Sequence, residues 1–122
     1  KNNENKIVSK SAATMMEAVS ISKESVDHLI ASSNDQKKSA VSGVNYLMLM
    51  GYLCGGWMMS RSASKAAQEI VNKNKSNDFL EAKLVSSDIF MTHLLPKIKS
   101  LAESIIKGDE SILAMKPEWL SQ

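Results

Sequence analysis

One stretch of the chain has no charge and almost no polar side chains. Between Ala40 and Met59 the polar interruptions are Ser42 and Asn45 alone. A helix that is apolar around most of its circumference has to be covered by other helices or by lipid. The stretch therefore constrains the fold more than any other feature, because the rest of the chain must supply its cover.

Residues 41–59 are nearly long enough to span a membrane, which takes about twenty apolar residues in a row. Gly51 and Gly55 also have the spacing of the small residues that pair membrane helices. However, Asn45 and the glycines lower the apolarity, and the two flanking segments carry apolar stripes that need a partner. A buried central helix supplies that partner, so we predict no membrane span and keep a membrane-associated helical protein as an alternative.

The two flanking segments are amphipathic, and each repeats its apolar residues in alternating steps of four and three. That step draws one stripe along an α-helix. The first stripe comprises Val8, Ala12, Met15, Val19, Ser22, Val26 and Leu29. The second comprises Leu80, Leu84, Ser87, Met91, Leu94, Ile98, Leu101 and Ile105. Because the second stripe runs through Pro96, we predict one kinked helix there instead of two separate helices.

Capping residues mark the ends of the predicted helices. Ser33 precedes Gln36 with the spacing of a capping box, which starts the second helix at Gln36. Either Asn77 or Asp78 is expected to cap the third helix. Gly108 is expected to end it in the left-handed conformation.

These signals predict helices at about residues 4–32, 36–73 and 78–107, followed by a short helical turn at about 109–115. Short connections between long helices favour antiparallel neighbours. The predicted fold class is all-α: an up-down antiparallel bundle of three long helices plus a short C-terminal helical turn. We expect residues 1–122 to form a single domain.

Composition supports a helical domain and argues against some partners. Hydrophobic residues make up 43% of the 122 residues, which excludes a disordered chain. Fifteen basic residues face thirteen acidic ones, and Arg61 is the one arginine. A nucleic-acid-binding protein needs clustered basic side chains, usually with several arginines, so we expect no nucleic acid partner. The one cysteine, Cys54, cannot form an internal disulfide, which fits a cytoplasmic location.

No residue pattern predicts a catalytic, cofactor-binding or metal site. His28 and His93 lie on different predicted helices, and neither is followed at three or four positions by an acidic residue or a cysteine that would build a metal site. Cys54 is expected to be a small buried hydrophobic residue. The sequence contains no glycine-rich phosphate loop and no nucleophile elbow.

The residues that we single out are expected to make contacts. Glycine costs about 1 kcal/mol in a helix relative to alanine, so Gly51 and Gly55 indicate close approach by another helix or by another part of a larger protein. Tyr52 and Trp57 spread round more of the second helix than one stripe requires, which indicates a docking surface. Pro96 marks the kink. The alternative is that the flanking helices bury all of these side chains.

Two blocks of the sequence resemble one known family. The first contains Tyr46-Leu47-Met48-Leu49-Met50-Gly51-Tyr52, then Gly56-Trp57-Met58-Met59, then Ala63, Ala66 and Ala67. The second contains Phe79-Leu80-Glu81-Ala82-Lys83-Leu84, then Phe90, Leu94-Leu95-Pro96, Leu101 and Gly108. Together they resemble the C-terminal domain of the acyl-CoA dehydrogenases, in the branch typified by 3-methylmercaptopropionyl-CoA dehydrogenase. Ser86-Ser87-Asp88 is more polar than that pattern.

The resemblance implies a parent flavoenzyme of fatty acid metabolism that uses FAD to oxidise an acyl-CoA thioester to the 2-enoyl-CoA. In such enzymes a glutamate removes the α-proton while flavin N5 accepts the β-hydride, and both groups belong to the part that precedes this domain. No position here matches them.

We therefore expect a fragment of a larger enzyme, without an active site or FAD of its own, that has a structural, docking or assembly role. Its expected partner is the remainder of the enzyme, which is expected to be a homo-oligomer. The alternative is a non-enzymatic helical-bundle interaction or signalling module.

Overall fold

A computed structural model describes residues 2–75 and 77–121. They form α-helices at Asn2–Ala31 (α1), Gln36–Lys73 (α2), Asp78–Ile89 (α3), Lys97–Lys107 (α4) and Asp109–Leu113 (α5). A π-helical turn, Phe90–Leu94, joins α3 to α4, and a 3₁₀ turn, Pro117–Trp119, follows α5. The all-α class is confirmed. The count of three long helices is not, because the third is divided into α3 and α4. The prediction of one domain over residues 1–122 includes Lys1, Ser76 and Gln122, which lie outside the described residues.

Helix α2 is central, since it contacts α1, α3, α4 and α5. Along its whole length one buried stripe repeats every seven residues: Ser42, Leu49, Gly56, Ala63 and Ile70. A seven-residue repeat keeps one face of a helix turned toward its neighbours. Most members of the stripe are small, which allows the neighbouring helices to approach closely.

The core consists of two clusters along the bundle. One cluster comprises Met15, Ala18, Leu49, Met91, Leu95, Ile98, Ala102 and Ile105. The other comprises Ala63, Ala66, Ala67, Ile70, Leu80 and Leu84. The second cluster joins the end of α2 to the start of α3, with Ile7 and Val8 of α1 packed against it. The start of α1 therefore lies beside the end of α2, so these two helices run in opposite directions.

The buried face of α1 agrees with the predicted stripe at Met15 and Ser22 and is offset from it elsewhere. Ser11, Ala18 and Ser25 are buried. Ala12 and Val19, which belong to the predicted stripe, are exposed. In the pair Ala18 and Val19 the smaller residue points inward, because α1 packs closely against the glycine and alanine positions of α2.

The helix starts differ in part from the predictions. The capping box of Ser33 and Gln36 is wrong: the carboxylate of Asp35 accepts the Lys37 backbone N–H at 3.1 Å. Asn77, one of the two predicted candidates, caps α3 by accepting a backbone N–H of the first turn at 2.9 Å.

Asn74, which directly follows the last residue of α2, has the left-handed backbone conformation, with φ 47°. The Lys75 N–H donates to the Ile70 carbonyl and the Asn74 N–H to the Val71 carbonyl, each at 3.2 Å. These two bonds form a Schellman motif at the end of α2. Gly108 does not have the predicted left-handed conformation, since its φ is −88°.

The π-helical turn lies directly before Pro96 and widens the helix there. The Leu95 N–H donates to the Phe90 carbonyl, five residues earlier, at 2.9 Å. The step between the buried residues Met91 and Leu95 is four, where an alternating stripe would have three. A π turn is wider than an α turn and takes up the extra residue.

After this turn the predicted stripe is off by one residue at two positions. Leu95 and Ala102 are buried. Leu94 and Leu101, which were predicted instead, are half-buried. The predicted kink at Pro96 takes the form of a widened turn followed by a new helix, with Pro96 as the N-cap of α4.

Candidate functional site

A second stripe of α2 is exposed along its whole length. Its members follow each other in alternating steps of four and three: Ala40, Val44, Leu47, Gly51, Cys54 and Met58. We name this set the open seam. Val44, Leu47 and Met58 are 70%, 72% and 58% exposed. Helical spacing puts the open seam on the side of α2 opposite the buried stripe, so α2 is covered on one side only.

The middle of the open seam is shallow. A Cβ added to Gly51 would meet nothing within 4 Å. Close approach to Gly51 by another helix is therefore not seen within the described residues, and its contact with another part of a larger protein stays a prediction. Cys54 was predicted to be buried and is exposed. Both differences have one cause, namely that the helices of this chain cover only the buried stripe.

The glycines that face the core are Gly55 and Gly56. A Cβ at Gly55 would lie 2.9 Å from the tip of the Phe90 ring. A Cβ at Gly56 would lie 2.8 Å from Leu95 and 2.9 Å from the Met15 sulfur. Gly56 is thus the point where three helical segments meet, and it was not among the predicted candidates. Its place in the seven-residue repeat is the signal that could have identified it.

The two aromatic candidates have different surroundings. Trp57 is exposed, and the guanidinium of Arg61 lies 4.9 Å from its ring centroid. Tyr52 is half-buried against the first core cluster, with the Lys97 ammonium 5.8 Å from its ring. Trp57 is therefore accessible for a contact outside the chain, whereas Tyr52 is largely a core residue. Pro96 is exposed at the start of α4.

Both ends of the open seam carry positive charge. Lys37 precedes it, and Arg61 and Lys65 follow it, in the same alternation of steps, and all three are exposed. Between Gln36 and Gln68 the sequence has four basic residues and no acidic one. The seam is therefore an apolar strip between two cationic ends. Within the described part of the chain, no helix combines the length and apolarity needed to cross a membrane.

A groove of about 310 Å³ between α2 and α3 adjoins the C-terminal end of the open seam. Its lining includes Met58, Phe79, Arg61, Lys65, Lys83 and Glu69. Phe79 is exposed, and the Lys83 ammonium lies 5.3 Å from its ring. The groove therefore has apolar walls with three cations and one carboxylate, and like the seam it is apolar with an excess of positive charge.

A metal site and an FAD site each need a particular arrangement of residues. Among residues 2–75 and 77–121, no three His, Cys, Asp or Glu side chains are grouped to hold a metal ion. FAD phosphates are typically held by the N–H groups of a glycine-rich turn that opens a helix. Four of the five glycines lie inside α2, where the helix uses backbone N–H groups for its own hydrogen bonds. The described residues therefore do not fit FAD in this way.

Comparison with known proteins agrees with this helical architecture. The family described as acetyl-CoA dehydrogenase C-terminal like matches residues 3–116. The 3-methylmercaptopropionyl-CoA dehydrogenase of Ruegeria pomeroyi is 34% identical over 89 residues, which cover 72% of this chain and 15% of that protein. The chain thus spans only a small part of that relative's length. No solved structure matches it. The chain belongs to the acetyl-CoA dehydrogenase C-terminal-like family and is a C-terminal acyl-CoA dehydrogenase domain.

Proposed function

We propose that this domain docks against the remainder of an FAD-dependent acyl-CoA dehydrogenase and contributes no catalytic residue. The parent enzyme oxidises an acyl-CoA thioester to the 2-enoyl-CoA, and its FAD and catalytic base lie outside the described residues. The name of the relative, an acyl-CoA dehydrogenase, supports this substrate class. The resemblance further supports a cytoplasmic homo-oligomer of fatty acid metabolism.

The open seam is the observation that carries the docking role. Val44, Leu47 and Met58 hold most of their surface in water. Full burial of such side chains stabilises a contact by about 1.5–3 kcal/mol each. A domain that is tethered to its partner by the chain has a high effective concentration, so a few such contacts are enough to hold it in place.

Neutral substitutions on and off the seam test the docking. Val44→Asn removes apolar surface from the open seam. Val71→Asn is the matched control, because Val71 is also an exposed valine of α2 (53%, against 70% for Val44) but lies off the seam. In the full-length protein, the thiol of Cys54 should react slowly with a maleimide. Val44→Asn should speed that reaction, whereas Val71→Asn should leave it unchanged.

The result that contradicts docking is equally direct. If Cys54 in the native full-length protein reacts as fast as it does in urea, the seam is open to solvent and the docking role is wrong.

The absence of an active site has a separate test. Purified residues 1–122 should show no flavin absorbance band and no acyl-CoA dehydrogenase activity, because they lack both a dinucleotide site and a catalytic base. A yellow preparation would contradict this.

The parent enzyme itself is tested by the reading frame upstream of Lys1, which should encode a flavin-binding dehydrogenase body. A frame that encodes none would favour the alternative, a non-enzymatic interaction module.

A further inference from the structure

We infer that the open seam of α2 receives one amphipathic helix from the remainder of the enzyme, and that the apolar stripe of this helix is bordered at both ends by carboxylates. The inference rests on the proposed docking role and specifies the chemistry of the partner. Three properties of the seam carry it: its spacing, its shallow middle and its charge.

The spacing fits a helix. From Val44 to Met58 the residues of the open seam alternate strictly in steps of three and four, and two further exposed residues, Met48 and Trp57, flank it on either side. Two packed helices meet along such a stripe, whereas a β-strand presents side chains every second residue. At the middle of the stripe, Gly51 has nothing within 4 Å of where its Cβ would be. The axis of a partner helix can therefore come close to α2 at that point.

The charge selects the partner. Lys37 lies at one end of the seam, and Arg61 and Lys65 lie at the other. Lys83 adds a further cation in the adjoining groove, where Glu69 is the one acidic lining residue. Exposed ion pairs add only about 0.2–1 kcal/mol each. They do determine which partner fits and in which position, since like charges placed together disfavour the wrong one.

The same charges argue against α2 of a second copy as the occupant. In an antiparallel pair that crosses at Gly51, Lys37 of one copy meets Lys65 of the other, because the two residues are equally far from Gly51. In a parallel pair each cation meets its own equivalent. Both arrangements place like charges together, and α2 has no carboxylate before Glu69 to offset them.

The arrangement also differs from a surface that lies on lipid. A membrane-surface helix has large apolar side chains throughout its apolar face and cations along the opposite, polar face. The open seam has a glycine, Gly51, at its centre, and its cations stand on the stripe itself at both ends. An anionic lipid surface is therefore an outcome that the experiment has to exclude.

Cross-linking in the full-length protein identifies the occupant. A photoreactive benzoylphenylalanine replaces Met58 on the seam, and the same residue replaces the exposed Ser64 of α2, off the seam, as the control. We expect Met58 to cross-link to one peptide with apolar residues in three–four steps and Asp or Glu at both ends. The Ser64 variant should not yield that peptide.

Charge reversal tests the electrostatic part. The double substitution Arg61→Glu with Lys65→Glu should raise the rate of Cys54 alkylation in the full-length protein by about tenfold or more, which corresponds to about 1.4 kcal/mol of weakened docking. Lys23→Glu, an exposed lysine of α1, is the matched control and should have no effect.

The possible results separate this inference from the proposed function. Rapid alkylation of Cys54 in the unsubstituted full-length protein overturns docking itself. A protected Cys54 that is insensitive to charge reversal, or a cross-linked peptide without carboxylates, overturns the acidic helix and leaves docking intact. Cross-links to α2 of another copy, or flotation of the protein with phosphatidylserine vesicles, also overturn the inference.

Discussion

Gly56 and Gly51 lie five residues apart on α2 and have opposite surroundings. A Cβ at Gly56 would lie within 2.9 Å of Leu95 and Met15, whereas one at Gly51 would meet nothing within 4 Å. Gly56→Ala should therefore lower the free energy of unfolding by about 1–3 kcal/mol through overpacking. Gly51→Ala should raise it by up to about 1 kcal/mol, because alanine favours the helix.

Urea denaturation of the two variants measures this difference, and each serves as the control for the other. Equal effects of the two substitutions would mean that Gly56 is not packed as the structure has it.

Asn74 is the second residue whose backbone makes a prediction. Its φ of 47° lies in the left-handed region, which costs an ordinary L-residue roughly 1–2 kcal/mol and costs glycine almost nothing. Asn74→Ala should lower the melting temperature, while Asn74→Gly should retain or raise it. If both variants melt like the parent, the helix end is not held by the Schellman hydrogen bonds.

The residues of α1 that were wrongly assigned to its buried face illustrate one limit of sequence patterns. Apolar spacing favours the larger residue of each neighbouring pair, as it did with Val19 instead of Ala18. Where helices pack closely, the smaller residue faces inward, and that closeness depends on the partner helix. Ser25 was missed for this reason, because the sequence pattern favoured the larger Val26 beside it. Ser87 was correctly placed on the buried stripe, because its large neighbours Leu84 and Met91 fixed the register.

At the scale of the element, the π-helical turn holds one residue more than the alternating stripe needs. Deleting the exposed His93 together with Pro96→Ala should convert the turn into regular α-helix and keep Ile98 facing the core. Deleting the exposed Ser86 in the same Pro96→Ala background should instead rotate the following helical residues by about 100°. The buried side chains would then no longer face the core.

Circular dichroism melts distinguish the two deletions. The first variant should unfold cooperatively near the temperature of Pro96→Ala, and the second should not fold. If the variant that lacks His93 fails to fold, the extra residue is not held in the π-helical turn.

The elements themselves were largely recoverable from the sequence. The apolar stretch identified α2 as the central helix, and the all-α class followed from the spacing. The division at Pro96 was not recoverable, because a strict alternation can be continued past the proline through Leu94 and Leu101. Only the packed structure shows that the buried stripe gains one residue between Met91 and Leu95.

At the scale of the whole molecule, the bundle depends little on ion pairs. Two pairs that link different helices among the described residues, Lys10 with Asp88 at 3.1 Å and Lys99 with Glu17 at 2.9 Å, join exposed side chains. Such pairs contribute about 0.2–1 kcal/mol. Asp88→Asn should therefore cost less than about 1 kcal/mol in urea denaturation, and 0.5 M NaCl should shrink that difference. A larger loss would indicate that the pair is part of the core packing.

The candidate site could be predicted only in part. Excess apolar surface on α2 was visible in the sequence through Tyr52 and Trp57. The location of that surface on α2 was not visible, because the sequence does not show which of Gly51, Cys54 and Tyr52 is exposed within an apolar stretch. Which of them faces solvent depends on how many helices cover α2, and the structure shows that they cover only its buried stripe.

The two stripes of α2 have a consequence for handedness. A strict seven-residue repeat lags an ideal α-helix by about 20° per heptad, so helices that follow it wind round each other in a left-handed supercoil. The buried stripe imposes this winding on α2, and the open seam on its other side shares it. A helix that fills the open seam must cross α2 at roughly +20° and repeat its own apolar residues every 3.5 positions. Its apolar residues should therefore keep the same alternating steps of three and four as the seam, because a departure from that step would carry them off the seam by about 20° per heptad.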